Sequence, residues 1–247
     1  MDKRRSGVLL PVSSLPGTYG IGDFGKSAYE WVDSLEDSMT SLWQILPLNP
    51  VGYGNSPYQP YSSFAGDEIY ISIEDLYKEL NIELKNEYYQ SNMVDYEAVR
   101  DRKESLLKKA FEKFEKNDEY DDFEKLAFWL DDYAEFKALK RLNNNEWWIH
   151  WEDTNLNEEM LDYEKFVQFV FYKQWMKLKN YANKKGVMIV GDIPIYVGHD
   201  SSDVYFNRDY FILDEKGHPK EVAGVPPDAF SDEGQLWGNP LYKWDVL

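Results

Sequence analysis

The stretch GYGNSPYQPYSSFAG, from Gly52 to Gly66, gathers aromatic rings and hydroxyls on a chain stiffened by Pro57 and Pro60. It offers Tyr53, Ser56, Tyr58 and Tyr61, a set suited to a sugar, whose apolar face stacks on a ring while its hydroxyls find donors and acceptors. The same residues suit a tightly packed turn whose Tyr rings bury against a neighbouring helix, and pattern alone does not separate the two. In GDIPIYV, Asp192 stands just past an apolar run and before Pro194. A carboxylate there can hydrogen-bond sugar hydroxyls, serve in acid–base work, or simply cap a turn. Glycosidic chemistry needs two carboxylates flanking one bond, about 5 Å apart when the outcome is retention. Asp200, Asp203, Asp209 and Asp228 are candidates for the second, and none stands at the end of another recognisable strand. The closing run GVPPDAFSDEGQLWGNPLYKWDVL brings tandem prolines, Phe230, Gln235, Trp237 and a Gly-Asn-Pro turn, the makings of a loop over a pocket. His150, inside WWIHW, has no partner at triad or metal-ligand spacing and reads as structural.

These residues need a scaffold, and three short apolar runs supply one: Ser6 to Pro11, Leu42 to Leu48, and Gly186 to Val197. Their aliphatic content, brevity and Gly/Pro boundaries predict buried parallel strands. Between the first two, KSAYEWVDSLEDS places Ala28, Val32 and Leu35 on one helical face, so strand, helix, strand reads as a βα repeat of an α/β sheet. From about Asp67 to Lys165 the chain is charged and helical in period, with Leu107, Ala110, Phe111 and Phe114 as one apolar stripe. That region reads as an inserted helical subdomain. A further helix over Phe166 to Ala182 ends at the basic, Gly-terminated NKKG and delivers the third strand. A fourth strand is a weaker expectation, around Phe211 to Asp214.

Composition narrows the partners. A formal charge of −18 over 247 residues repels phosphate backbones and anionic lipid, which argues against nucleic acid and membrane surfaces. The absence of cysteine rules out a disulfide scaffold and thiolate metal sites, and the cytoplasm is the expected compartment. The apolar run near the N-terminus breaks at Pro11, too short for a signal-peptide core, and no stretch reaches transmembrane length.

Taken together, SSLPGTYGIGDFG, WQILPLNPVGYGNSPYQPYSSFAG, QWMKLKNYANKKGVMIVGDIPIYVGHDSSDV and AGVPPDAFSDEGQLWGNPLYKWDVL resemble the N-terminal half of the amylomaltases, bacterial 4-α-glucanotransferases of the α-amylase superfamily. The resemblance runs from about Ser6 to Leu247 and is loose only through the helical insert. It implies the N-terminal part of a (β/α)8 TIM barrel, arranged as residues 1–66 with the first strands and substrate loop, 67–165 as the insert, and 166–247 with a barrel helix, the third strand and a glucan-covering loop. It also implies transfer of α-1,4-glucan segments between maltooligosaccharides by retaining double displacement, with no cofactor and no metal. By motif match Tyr58 is similar to the aromatic that stacks on the sugar at the cleavage site, and Asp192 to the carboxylate that binds its hydroxyls. Ser56 and Tyr53 accompany them, and Phe230, Gln235 and Trp237 belong to a mobile loop over the glucan. No motif here matches the family's nucleophile, acid/base or third carboxylate, so no catalytic residue is assigned within these 247 residues. The expectation is an N-terminal fragment, inactive alone and prone to self-association or to pairing with a C-terminal half. A non-catalytic α-glucan-binding module and a related α-glucan hydrolase are the alternatives. Two departures stand out: Ala229 where the family commonly has an aromatic, and SLEDSMTS without the expected Gly-containing turn.

Overall fold

The computed structural model describes residues 4–84, 89 and 93–247 and divides into two compact units. The first comprises Met1–Leu48, Gly66–Ala127 and Lys165–Asp192; the second comprises Asn49–Ala65, Phe128–Glu164 and Ile193–Leu247. Each unit therefore draws on all three of the consecutive stretches distinguished in the sequence.

In the first unit the three apolar runs form a parallel sheet in the order β1-β2-β3, with β1 at Gly7–Leu9, β2 at Leu42–Gln44 and β3 at Met188–Val190. Trp43 pairs with Val8 on one side and Ile189 on the other. Helix α1, Lys26–Asp37, connects β1 to β2 and buries Ala28, Val32 and Leu35, the face read from the sequence. Its exit needs no glycine. Met39 takes the left-handed conformation at φ 55°, and Thr40 N–H closes back on Leu35 O at 2.9 Å. The long helix α6, Glu158–Lys184, enters β3 by the same device, with Gly186 at φ 76° and Val187 N–H on Ala182 O at 2.9 Å.

Helices α2 (Ile73–Glu79), α3 (Tyr96–Phe111) and α4 (Asp118–Leu126) complete this unit, α2 to α4 each beginning at a side chain that caps its first turn. Leu107 and Ala110 are buried as the apolar stripe requires, and Phe114, just past α3, packs 4.9 Å from Phe166 and 5.5 Å from Tyr120. A buried ion pair ties α3 to the segment after β1: Lys103 Nζ donates to Asp23 Oδ2 at 2.8 Å and to the carbonyls of Ile69 and Ile71 at 2.7 and 2.8 Å. Asp23 in turn accepts from Gly25 N–H at 3.0 Å, so the Gly-Asp-Phe-Gly turn is the anchor of that pair.

The second unit holds α5 (Leu130–Leu142), the first residues of α6 (Glu158–Lys184), the short α7 (Ser202–Phe206), and an antiparallel hairpin of β4 (Val222–Val225) and β5 (Gln235–Pro240). Its core is Phe136, Trp148, Val197, Val204 and Phe211. Within WWIHW, Trp148 is buried with its indole N–H on His199 O at 2.8 Å, Ile149 and Trp151 pack against the same core, and His150 is exposed.

Three expectations are corrected. The third strand stops at Val190, where its pairing partner β2 ends at Gln44, and Gly191 to Val197, with Pro194 unable to donate to a ladder, adds no further strand residues. Phe211 to Asp214 is no strand of the parallel sheet: Phe211 and Leu213 make only isolated antiparallel bridges, to Tyr242 and Pro219. Burial on both faces does not hold: Trp43 is buried, but Gln44 beside it in β2 is exposed, and in the flanking strands Val8, Leu9, Met188 and Val190 are 38 to 54% exposed. Among the described residues β1 and β3 each pair on one side only, which leaves two open edges.

Candidate functional site

In the second unit the aromatic loop is a miniature hairpin. Tyr61 N–H donates to Pro50 O at 2.8 Å, Gly52 N–H to Gln59 O at 3.0 Å, and Val51 bridges Pro60. Asn49 staples the far end through its amide to the carbonyls of Ser62 and Ala65. The tip reverses over Gly54 and Asn55, both left-handed at φ 69° and 53°, and there the backbone of Tyr53 starts a single 3-10 turn. Beneath the tip Ser56 Oγ accepts from Tyr58 N–H at 3.3 Å, so its hydroxyl shapes the turn that carries the ring. Tyr58 itself keeps 45% of its surface.

Tyr61 has the opposite fate. Its ring lies 6.3 Å from Phe136 with Lys140 Nζ 4.7 Å from its centroid, so one tyrosine of the loop is core and another is a surface platform. Lys140 is nearly fully buried and is held by Asp200 at 2.6 Å and by the carbonyls of Asn145 and Glu146. Burial lowers its pKa, with the Asp200 carboxylate opposing the shift.

The closing segment forms the second aromatic surface. Between β4 and β5 the tip is a self-capped turn in which Asp228 Oδ1 accepts from Phe230 and Ser231 N–H at 2.8 and 3.0 Å, leaving Phe230 93% exposed. At the base, Trp237 donates its indole N–H to Gln235 Oε1 at 3.1 Å and lies 6.2 Å from the Tyr196 ring. Tyr196 stacks in turn on Tyr242 at 5.9 Å. The base is joined to the Tyr58 turn by Gln59, whose Nε2 donates to Trp237 O at 2.9 Å and to Asn239 Oδ1 at 2.8 Å.

The structure therefore brings Ser56, Tyr58, Gln235 and Trp237 onto two directly bonded segments of one unit. Asp192 belongs to the first unit, exposed and two residues past β3. Three of the four aspartates weighed as a second carboxylate have other duties. Asp200 holds Lys140, and Asp228 caps its turn. Asp203 accepts from Ser63 N–H and Oγ, with burial raising its pKa against those bonds. Asp209 sits exposed in a 3-10 turn. Among the described residues no group of three or more His, Asp or Glu could hold a metal ion, and no helix is long and apolar enough to cross a membrane. Sequence reasoning missed Gln59, Asn239 and Tyr196. The first two carry no periodic signal, and Tyr196 was absorbed into an apolar run read as strand.

A parallel βα framework with its aromatic loops in the segments that follow β2 and β3 defines the class. Within it, the chain belongs to the 4-alpha-glucanotransferase family, glycoside hydrolase family 77, whose pattern matches residues 10–247. It is 45% identical over 262 residues to a 4-alpha-glucanotransferase of Clostridium butyricum, covering 96% of this chain and 53% of that protein. Against the 4-alpha-glucanotransferase of Aquifex aeolicus it is 43% identical over 258 residues, covering 98% and 53%. Among solved structures, an amylomaltase from Streptococcus agalactiae in complex with acarbose superposes with a TM-score of 0.91 at 40% identity, over 98% of this chain and 54% of that one. The chain thus spans about half the length of the curated relatives it matches.

Proposed function

We propose that these residues are the glucan-binding part of a 4-α-glucanotransferase that moves α-1,4-glucan segments between maltooligosaccharides by retaining double displacement, with the nucleophile and acid/base drawn from outside these 247 residues. The observation that carries this reading is the exposed Tyr58 ring on a turn whose backbone is closed by its own hydrogen bonds. A rigid platform of that kind stacks on a sugar at little entropic cost. Ser56 and Tyr53 flank it, Asp192 supplies a carboxylate for sugar hydroxyls, and Phe230, Gln235 and Trp237 lie over the chain being handled. Transfer rather than hydrolysis requires a sugar hydroxyl to beat water to the intermediate, and aromatic surfaces with a covering loop favour that outcome.

The same reading takes the parallel sheet as the start of a (β/α)8 barrel, with residues 67–165 as its helical insert, and places the protein in the cytoplasm. The structural duties of Asp200, Asp203 and Asp228 favour binding without turnover by the isolated chain. Incubation with maltotriose tests this: no glucose and no longer maltooligosaccharides should form, while acarbose or maltoheptaose binds measurably by calorimetry. Enzyme-like disproportionation would show that the carboxylates are present after all. Absence of any binding would remove the glucan reading.

A further inference from the structure

We propose that Gln59 is a positioning residue that locks the turn carrying Tyr58 to the strand carrying Gln235 and Trp237, so that both surfaces meet one α-glucan chain at a fixed spacing. Its occupant rests on the glucan reading above; its geometry does not. The amide of Gln59 has two N–H donors, and both directions are used, toward Trp237 O at 2.9 Å and Asn239 Oδ1 at 2.8 Å. Asn239 is 3% exposed, and its own Nδ2 donates to Val197 O at 2.9 Å. That second bond fixes which end of the Asn239 amide accepts from Gln59. Three segments are thereby clasped together: the aromatic turn, the chain at Val197, and β5.

The main chain of Gln59 is committed as well. Its N–H donates to Ser56 O at 3.1 Å and its carbonyl accepts from Gly52 at 3.0 Å, so the residue beside Tyr58 is held on every polar atom of its backbone. Gly198 is the accommodating neighbour, since a Cβ there would stand 2.9 Å from Pro60 O. On β5, Gly238 adopts φ 80° between the two residues that Gln59 grips, a conformation L side chains rarely take. The contrast with the hairpin tip is sharp. Phe230 is 93% exposed and its turn is bonded to its own Asp228, whereas the base at Trp237 is tied to a distant part of the sequence. The covering loop is thus an exposed tip on a clamped base, and the Gln59 side chain is what ties that base to the aromatic turn.

Hydrogen exchange on the 247-residue chain, paired with calorimetry against maltose and maltoheptaose, tests the clasp. Gln59→Glu replaces a two-way donor by a carboxylate facing two acceptor oxygens; Gln59→Met keeps length without the amide, and serves if the first variant does not fold. Either change should speed exchange across Gln235 to Asn239 on the order of tenfold, leaving the amides of β1 to β3 unchanged. Maltoheptaose affinity should fall on the order of tenfold, while affinity for maltose, too short to reach both surfaces, holds. Unchanged exchange in Gln59→Met overturns the clasp. Faster exchange with an equal loss for both sugars overturns the positioning role. An unmodified chain that binds neither sugar overturns the glucan reading and leaves exchange to decide the clasp alone.

Discussion

Tyr58 and Tyr61 are three residues apart in one proline-stiffened loop, and their neighbourhoods decide which of them can meet a ligand. Tyr61 is spent on Phe136 and the buried Lys140; Tyr58 faces solvent over a turn that Ser56 closes. Replacing Tyr58 by Ala should weaken maltoheptaose binding by about 1 to 3 kcal/mol, and Tyr58→Phe should keep most of it, because the stacking face rather than the hydroxyl carries the contact. Calorimetry on the three proteins measures this, and equal affinities would return Tyr58 to a packing role. The sequence alone allowed both fates for every tyrosine of the loop. Which ring went inward depended on Phe136 and Lys140, more than seventy residues away in the chain.

Elements here are joined by two devices that differ in how visible they are. Both α1 and α6 reach their strands through a left-handed residue and a six-residue backbone closure, but only α6 uses glycine. Met39 is 88% exposed, so its side chain contributes nothing to offset the strained backbone. Met39→Gly should therefore raise stability by up to about 1 kcal/mol in urea titrations, net of the flexibility glycine adds to the unfolded chain. The second device, the Lys103–Asp23 pair, was not legible, since a lysine on a charged helix reads as solvated. Lys103→Met strands a buried carboxylate and two carbonyls, and should cost about 3 to 5 kcal/mol at neutral pH. Burial already raises the pKa of Asp23, with Lys103 opposing. Without the lysine the folded value rises further, and a raised folded pKa favours the folded state at low pH and loses that favour as pH rises. The deficit should accordingly be smaller at pH 5 than at pH 8, and a pH-independent deficit would assign the loss to packing.

At the scale of the whole chain, the parallel sheet leaves β1 and β3 unpaired on their outer sides among the described residues, with Val8, Leu9, Met188 and Val190 open to solvent. From such edges and apolar surface we expect the chain to self-associate, and a charge of −18 opposes like-with-like contact only weakly once salt screens it. Sedimentation in 0.15 M salt should show concentration-dependent self-association; a monodisperse monomer with slowly exchanging amides in all three strands would show the sheet to be sufficient as it stands. Local chemistry determined the order of the three parallel strands and of the α1 and α6 helices, the α1 face and the helix stop at Gly186, because hydrophobic period and turn residues act within a few positions of one another; the family was legible only as a resemblance carried by whole motifs. Only the tertiary structure decided where β3 ends, that Val222 to Pro240 is a hairpin, that Asp200 and Asp203 are structural, and that Gln59 binds Trp237 and Asn239. The bonds of Asp200, Asp203 and Gln59 depend on which polar groups find partners across 60 to 180 residues of chain, and a polar side chain carries no local mark of the partner it will meet.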